Sequence, residues 1–468
     1  MMKRFSQRLR WATLALTLLL SQPTVWAQNV ESYQETADKI IAAATASERG
    51  YQRLAEMCTR FPHRLSGSQA LERCIDWVLQ EMGGDGFDSV TSEAVTVPHW
   101  ERGEEKLTLL TEQPQQLAVM ALGGSVSTPP EGLEAELLVV GSYDELEQNK
   151  GRAKGRIVVF NVPYTTYGQT GRYRWEGAIK AAEVGAVGAL VRSVTPFSLA
   201  TPHTGGMAYD DQIPKIPFGA ITPEAAQTLA RRQAAGQSDR VRLLLSTSIF
   251  PDAASRNVLA EIRGYEFPEQ VVVMGGHIDG WDTGEGAHDD AGGVTACWEA
   301  LRILRELGLK PRRTIRVVAW TNEENGLRGA KAYRQLHDAE IKDHVLALES
   351  DYGTFHPSGL SYSGNEEALA VLRQVVGLLG AVGPMEVTTP GGGADIGPLM
   401  AEGVPGAGLN HRDERYFWYH HSPADTLEKV DPKDFKNCVA TLAVTAFVVA
   451  DMPKRLPFGK AAEGSGAK

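Results

Sequence analysis

Six side chains between positions 277 and 421 have the types and spacing to hold metal ions and move a proton: His277, Asp289, Glu323, Glu324, Asp351 and His421. Four of them end apolar runs, VVVMGGHID (271–279), RTIRVVAWTNEE (313–324) and HVLALESD (344–351); Asp289 and His421 lie in turn-rich loops. Such runs read as buried strands, and an open α/β sheet binds its ligands outside the carboxyl ends of its strands. Two imidazoles and three carboxylates meeting there form the ligand set for a pair of Zn²⁺ ions. The carboxylate left over is what a metal-bound water needs as its base.

Each position has an ordinary alternative. A lone strand-end histidine is usually a satisfied polar residue. Asp279, two residues after His277, projects to the same side of an extended chain and can accept the far N–H of the imidazole, fixing its tautomer for metal binding. In GEGAHDDAGGV, glycines flank an acidic pair directly before a helix. Asp290 suits the N-cap, whereas Asp289, in a tight backbone position, can reach two metals. His288 ranks below it, having no evident partner. Glu323 and Glu324 could merely complement a helix dipole. Adjacent residues at a strand end point in different directions, however, which gives one ligand, Glu324, and one free base, Glu323. Asp351 is the companion ligand, with Glu349 as a rival on the same face. In YFWYHHSPADT either His420 or His421 fits, and spacing does not choose between them.

The elements that must position these residues form a regular alternation from about 255 onward. Strands are expected at 257–263, 270–276, 313–320 and 344–350, and helices at 292–308, 326–338, 365–380 and 432–452. Helical stretches between strands imply βαβ units, hence an α/β fold with a mostly parallel central sheet flanked by helices. Residues 28–115 would be the N-terminal part of the same domain, with two helices, the second capped by Ser66 or Ser68, then a hairpin over 88–111. Residues 116–250 change character, with short strands divided by Gly, Pro and Thr turns and one helix, and no metal-spaced His, Asp or Glu. This reads as a β-rich insert. The domain carrying the di-zinc site occupies 251–455, and 456–468 is a polar tail without structure.

Composition sets the outer limits. A chain of 468 residues with 43% hydrophobic and 22% charged residues is long enough for two packed units. A net charge of −11 and the lack of a basic stripe exclude a nucleic-acid partner. Residues 1–27 read as a signal peptide: a basic head (Lys3, Arg4, Arg8, Arg10), the apolar run ATLALTLLL, and small residues at Val25 and Ala27 before a cleavage site. That run is too short to span a membrane. The mature chain is therefore expected outside the cytoplasm, periplasmic or secreted, with no membrane span. Of the four cysteines, Cys58 and Cys74 are close enough in sequence to bridge successive helices, which would contribute roughly 3 kcal/mol on the chain-entropy model. Two buried thiols are the alternative.

The stretches GGHIDGWDTGEGAHDDAGG, WTNEENGLRGA, LESDYGTF and YHHSPADT resemble, in order and separation, those of the di-zinc exopeptidases, the family that includes aminopeptidases and glutamate carboxypeptidases. The likeness extends to PHWERGEE (98–105), TPPEG (128–132) and IPKIP (213–217), nearly the whole mature chain. It implies that His277, Asp289 and Asp351 hold one zinc and Asp289, Glu324 and His421 the other. It makes Glu323 the general base and Asp279 the partner of His277, and it selects His421 over His420. It further implies a cis peptide bond after Asp289, a protease-associated fold for the insert, and a possible homodimer. The substrates it favours are short peptides, unsubstituted dipeptides first, with an aminopeptidase acting on longer peptides as the alternative. For free termini, Asp395 in PGGGADIG could face an ammonium, and Arg412 or Arg415 in NHRDERYFW a carboxylate. A non-catalytic binding protein or a mononuclear cyclase on the same scaffold would require damaged ligands, and none is seen.

Overall fold

Alternate side chains of a strand face opposite sides of its sheet, so a run apolar throughout must be covered on both faces. In Phe267–His277, Val272 and Met274 enter one apolar cluster while Val271 and Val273 enter another. The computed structural model describes residues 30–413 and 415–459. The signal-peptide reading therefore lies outside the described residues, as does the tail from 460 onward.

Among the described residues fourteen strands follow in chain order: β1 (Ser89–Leu109), β2 (Gln115–Leu117), β3 (Val119–Ala121), β4 (Leu133–Val140), β5 (Ile157–Phe160), β6 (Gly188–Arg192), β7 (Phe218–Ile221), β8 (Arg240–Ile262), β9 (Phe267–His277), β10 (Arg313–Trp320), β11 (His344–Glu349), β12 (Pro357–Ser363), β13 (Glu386–Thr388) and β14 (Gly406–His411). Twelve of them join in the order β13-β12-β14-β11-β9-β10-β8-β4-β5-β6-β7-β3, and off this path β1 pairs with β8 and β2 with β1. The centre, β14-β11-β9-β10, is parallel, while β8 and β12 run antiparallel on its flanks. One face is covered by the N-terminal helices and by helices Gly292–Glu306, Glu366–Gly377 and Pro432–Asp451. The other is covered by Tyr333, Ile341, Ile396 and Leu399.

Several expectations change. The hairpin over 88–111 is a single strand, β1, paired along its length with β8. The Pro and Gly between its two alternating runs mark register shifts, at Val97/His99 and Arg102/Glu105, and not a turn. Strand β8 runs unbroken through position 250, so the insert and the main sheet share one strand. The insert itself is more helical than its sequence suggested. Its parallel strands β4 to β7 carry helix Pro223–Ala234 on one face and helix Tyr167–Glu183 on the other. The sequence signalled the helix that Tyr167–Glu183 forms, while short strands and frequent turns hid Pro223–Ala234.

Residues 456–459 are packed, unlike the expected tail: Leu456 is fully buried and the N–H of Gly459 donates to the Gly403 carbonyl. Ser68, not Ser66, caps helix Gln69–Gly84 through the Leu71 N–H. Cys58 and Cys74 are free buried thiols, the second of the two readings their spacing allowed, and no bridge joins them. Each side chain is spent on the core of helices Arg49–Arg60 and Gln69–Gly84, and burial raises both thiols to about 12. Among the described residues no helix is long and apolar enough to cross a membrane.

Candidate metal centre

The strand ends bring His277, Asp289, Glu323, Glu324, Asp351 and His421 to one place. Asp289 stands in the middle. Its Oδ1 is 3.2 Å from Nε2 of His277, and that same nitrogen is 3.2 Å from Oδ1 of Asp351. Its Oδ2 is 3.4 Å from Nε2 of His421, which is 3.0 Å from Oε2 of Glu324. Two ligands bound tetrahedrally to one zinc at ordinary bond lengths lie about 3.3 Å apart. The two triads meet that spacing and share one carboxylate. Oδ2 of Asp289 and Oε1 of Glu324 are buried without a hydrogen-bond partner, as acceptors reserved for a cation would be.

Electrostatics gives the same answer. Burial, with repulsion from Asp289 and Glu323, holds the Glu324 carboxyl well above its ordinary range. Burial, Asp351 and Asp279 do the same to Glu323 despite the opposing charge of His277. Burial works against the Asp289 carboxylate too, yet His420 and His277 beside it keep it below the usual value. So many desolvated carboxylates at one point need positive charge to ionise together. The site fits two divalent cations with nitrogen and oxygen ligands, which is zinc chemistry.

Neighbouring candidates separate by geometry. Nε2 of His420 reaches only Asp289, at 3.6 Å, and its ring stacks on that of His421 with centroids 3.5 Å apart. Asp290 accepts the N–H groups of His277 and Gly293, both at 3.0 Å, and so ties strand β9 to the following helix. The bond between Asp289 and Asp290 is cis. His288 is held between the Lys429 carbonyl and the Thr354 N–H. Glu349 accepts the Ile396 N–H at 2.8 Å, and burial, with Asp351 nearby, raises it to about 7.

The supporting contacts differ from expectation at Asp279. Nδ1 of His277 donates to the backbone carbonyl of Asp279 at 3.1 Å, while the carboxylate is 3.8 Å away. That carboxylate instead accepts the N–H of Glu323, at 3.0 Å, and of Glu324, at 3.4 Å. Asn322, in the left-handed region at φ 64°, turns the chain out of β10, and its side chain donates to Ser66. Two further positioning residues, Arg64 and Asp425, were not singled out in the sequence, although Asp425 lies within YHHSPADT. Arg64, fully buried, donates to the carbonyls of Ile278, Glu285 and Gly286, clamping the loop before Asp289. Asp425 accepts the N–H groups of His288 and Asp289.

Above the centre lies a cleft of about 880 Å³. Glycine-rich 391–393 forms one wall, and Tyr352, Tyr416 and Phe417 another. The insert supplies a third, with Tyr167, Arg174 and Trp175 of helix Tyr167–Glu183. The three charged residues expected to read substrate termini are not on these walls. Arg412 is two-thirds exposed and paired with Glu386, and Arg415 forks onto Asp413. Asp395 is buried with both oxygens unpartnered, and burial and Glu349 hold it well above its ordinary range. Loop charges near a site in sequence satisfy the nearest opposite charge, and here that charge is local. Two cations line the walls, Lys331, which donates to the Gly326 carbonyl, and Arg174, which touches a ligand of the metal centre. Nη1 of Arg174 is 3.2 Å from Nδ1 of His421 and its Nη2 donates to the Tyr167 hydroxyl at 2.7 Å, while its Nε is buried and unpartnered.

A parallel-centred sheet with this ligand set at its carboxyl edge defines a zinc-dependent metallopeptidase. The fold matches the crystal structure of a peptidase M28 precursor from Shewanella amazonensis SB2B, with TM-score 0.88 and 34% identity over 92% of this chain and 99% of that one. It also matches an aminopeptidase from Aneurinibacillus sp. strain AM-1, at TM-score 0.66 and 21% identity over 92% of this chain and all of that one, a likeness of fold alone. Carboxypeptidase Q of Homo sapiens is 44% identical over 433 residues, 92% of each chain. Residues 257–446 match the model of peptidase family M28, and the chain belongs to that family.

Proposed function

We propose that this chain is an exopeptidase of unsubstituted dipeptides, with Glu323 as the group that carries the proton. The observation behind the substrate class is a pair of uncompensated charges on the cleft walls. Arg174 touches His421 and has no carboxylate among its partners. Glu349 lines the same cleft with Oε1 unpartnered and lies in the field of Asp351. A zwitterion centred on the two triads meets a cation beside one and a carboxylate beside the other. Carboxypeptidase Q, by its name, acts at a carboxyl end, and a guanidinium in the cleft suits that reading.

His277, Asp289 and Asp351 would hold one zinc ion and Asp289, Glu324 and His421 the other, and the pair would supply a Lewis acid for the carbonyl and an acidified nucleophile. The protein's own part is positional. Asp279 holds the backbone of Glu323, so its carboxylate faces the cleft while Glu324 turns to His421. Glu323 takes a proton from the attacking water and delivers it to the departing nitrogen.

The test is a dipeptide library assayed on the zinc-loaded chain with and without chelator, beside N-acetylated and C-amidated versions. Free dipeptides should be cleaved, chelator should stop the reaction and Zn²⁺ restore it, and blocking either end should cost roughly 10²-fold. Glu323→Gln should lower turnover by at least ~10²-fold with two zinc ions retained. Equal cleavage of longer peptides would replace this reading with an aminopeptidase. We also propose export to the periplasm or medium and pairing of two chains, read by fractionation and by solution mass.

A further inference from the structure

A histidine that binds a metal through one ring nitrogen has the other fixed by a hydrogen bond, which sets its tautomer and aims its ring. His277 finds that partner two residues away, in the Asp279 carbonyl. His421 finds it in the insert. Its Nδ1 lies 3.3 Å from the carbonyl of Thr204, 217 positions earlier in the chain. The Arg174 guanidinium is as close to that nitrogen, at 3.2 Å, but has only donors to offer. A ring turned to a cation through Nε2 carries its hydrogen on Nδ1, so of the two neighbours the Thr204 carbonyl is the acceptor.

Thr204 belongs to a strap that leaves the insert at the end of β6 and crosses the turn bearing His420 and His421. Ser193 anchors it: the hydroxyl donates to the Ile221 carbonyl of β7 and accepts the N–H of His203 at 2.8 Å. Further out, the Thr195 hydroxyl donates to the Phe417 carbonyl at 2.7 Å. On its return the strap grips two successive carbonyls. Nδ1 of His203 donates to that of His420 at 2.7 Å, and the N–H of Thr204 to that of His421 at 2.9 Å. Both strap residues are buried, and the Thr204 hydroxyl is itself held by the Ala121 carbonyl and Arg102. The grip has strain to hold: His421 sits at φ 61°, a left-handed conformation that a residue other than glycine keeps only where its surroundings impose it.

We propose that His203 and Thr204 of the insert are positioning residues for the zinc ion assigned to Glu324 and His421, so that the two ions depend on different parts of the chain. The ion at His277 and Asp351 is organised within the peptidase domain. Its neighbour requires the docked insert. The inference rests on the ligand assignment made under the proposed function.

The experiment equilibrates the full chain against chelator-buffered zinc and counts bound zinc by elemental analysis. His203→Leu removes the N–H that grips the His420 carbonyl. One of its two ions should then need ~10- to 100-fold more free zinc, the scale for a residue that orients a ligand, while the other binds as in the wild type. His203→Asn, whose amide N–H₂ takes the place of Nδ1, should recover most of the loss. His203→Gln carries its amide one methylene further out and should behave like His203→Leu. A chain merely weakened in its fold would lose both ions together and would not tell the two amides apart. Should His203→Leu fail to fold, the contrast between Asn and Gln decides alone. Equal loss of both ions, an unaltered zinc curve, or no difference between Asn and Gln overturns the proposal. A second background separates it from the ligand assignment. His421→Ala should hold one ion, and adding His203→Leu should change nothing further; a further loss there overturns the proposal. A His421→Ala chain that still holds two ions removes the ligand assignment itself, and this inference with it.

Discussion

The Asp279 carboxylate accepts the backbone N–H of Glu323 at 3.0 Å across 44 positions of chain. It therefore aims the Glu323-Glu324 turn, while His277 is oriented by the Asp279 main chain. Asp279→Asn keeps that carbonyl and weakens only the grip on the turn. Zinc content should stay at two per chain by elemental analysis. Turnover should fall ~10- to 100-fold, the scale for a residue that orients its neighbours. Loss of zinc instead would mean that the carboxylate governs His277 after all.

Asp289 offers one oxygen to each triad. Asp289→Asn replaces one of those oxygens with an N–H₂ donor, which cannot face a cation. The variant should hold at most one zinc and show no turnover above background. In the wild type, Zn²⁺ should raise the unfolding temperature, because it relieves carboxylates that otherwise repel one another in a desolvated site.

Arg174 reaches the centre from the insert. Arg174→Ala should raise KM for free dipeptides by roughly 10²-fold, the loss expected of a charge-assisted contact. C-amidated dipeptides should be affected far less, and Arg174→Lys should recover part of the loss. Zinc content reports whether His421 has been disturbed. An equal effect on free and amidated substrates would assign Arg174 a purely structural part.

Stability should fall on the acid side through buried histidines. Burial lowers His344 from 6.5 to about 4, with its ring held between the Tyr333 hydroxyl and the Glu340 carbonyl. The unfolded chain protonates this ring below about pH 6.5 and the folded one does not. The contribution is thus complete above pH 6.5 and is lost as the pH falls towards 4, on the order of 3 kcal/mol. His203, also lowered to about 4, acts in the same direction. Urea unfolding from pH 7 to 4 reads the slope, and His344→Gln should be flatter over that interval.

With no disulfide to reduce, a reductant should leave the urea midpoint unchanged, and native Cys58 and Cys74 should resist alkylation. A drop in midpoint with reductant, or unfolded chain in which these two cysteines take up alkylating agent only after reduction, would restore the bridge.

The chemistry at the strand ends was legible because it is written locally. His277, Glu323, Glu324 and Asp351 each follow a run whose apolar continuity marks a buried strand, and strands of that kind share one ligand-binding edge. Helix Gln69–Gly84 was equally legible from its cap. Misreadings arose where the deciding partner was distant. The two alternating runs of β1 look like a hairpin until β8, an equally long strand, pairs with both. The nearby charges Asp395, Arg412 and Arg415 looked suited to a substrate, but burial removes the first and local acids occupy the others.

The order of residue types along this chain determined that its strand ends carry a set of nitrogen and oxygen donors suited to two zinc ions, because ligand chemistry and strand period are properties of short segments. Only the tertiary structure decided that Arg174 and Trp175 share that cleft. Arg174 meets His421 across 247 positions, and no short-range pattern encodes a contact made by docking one folded layer against another.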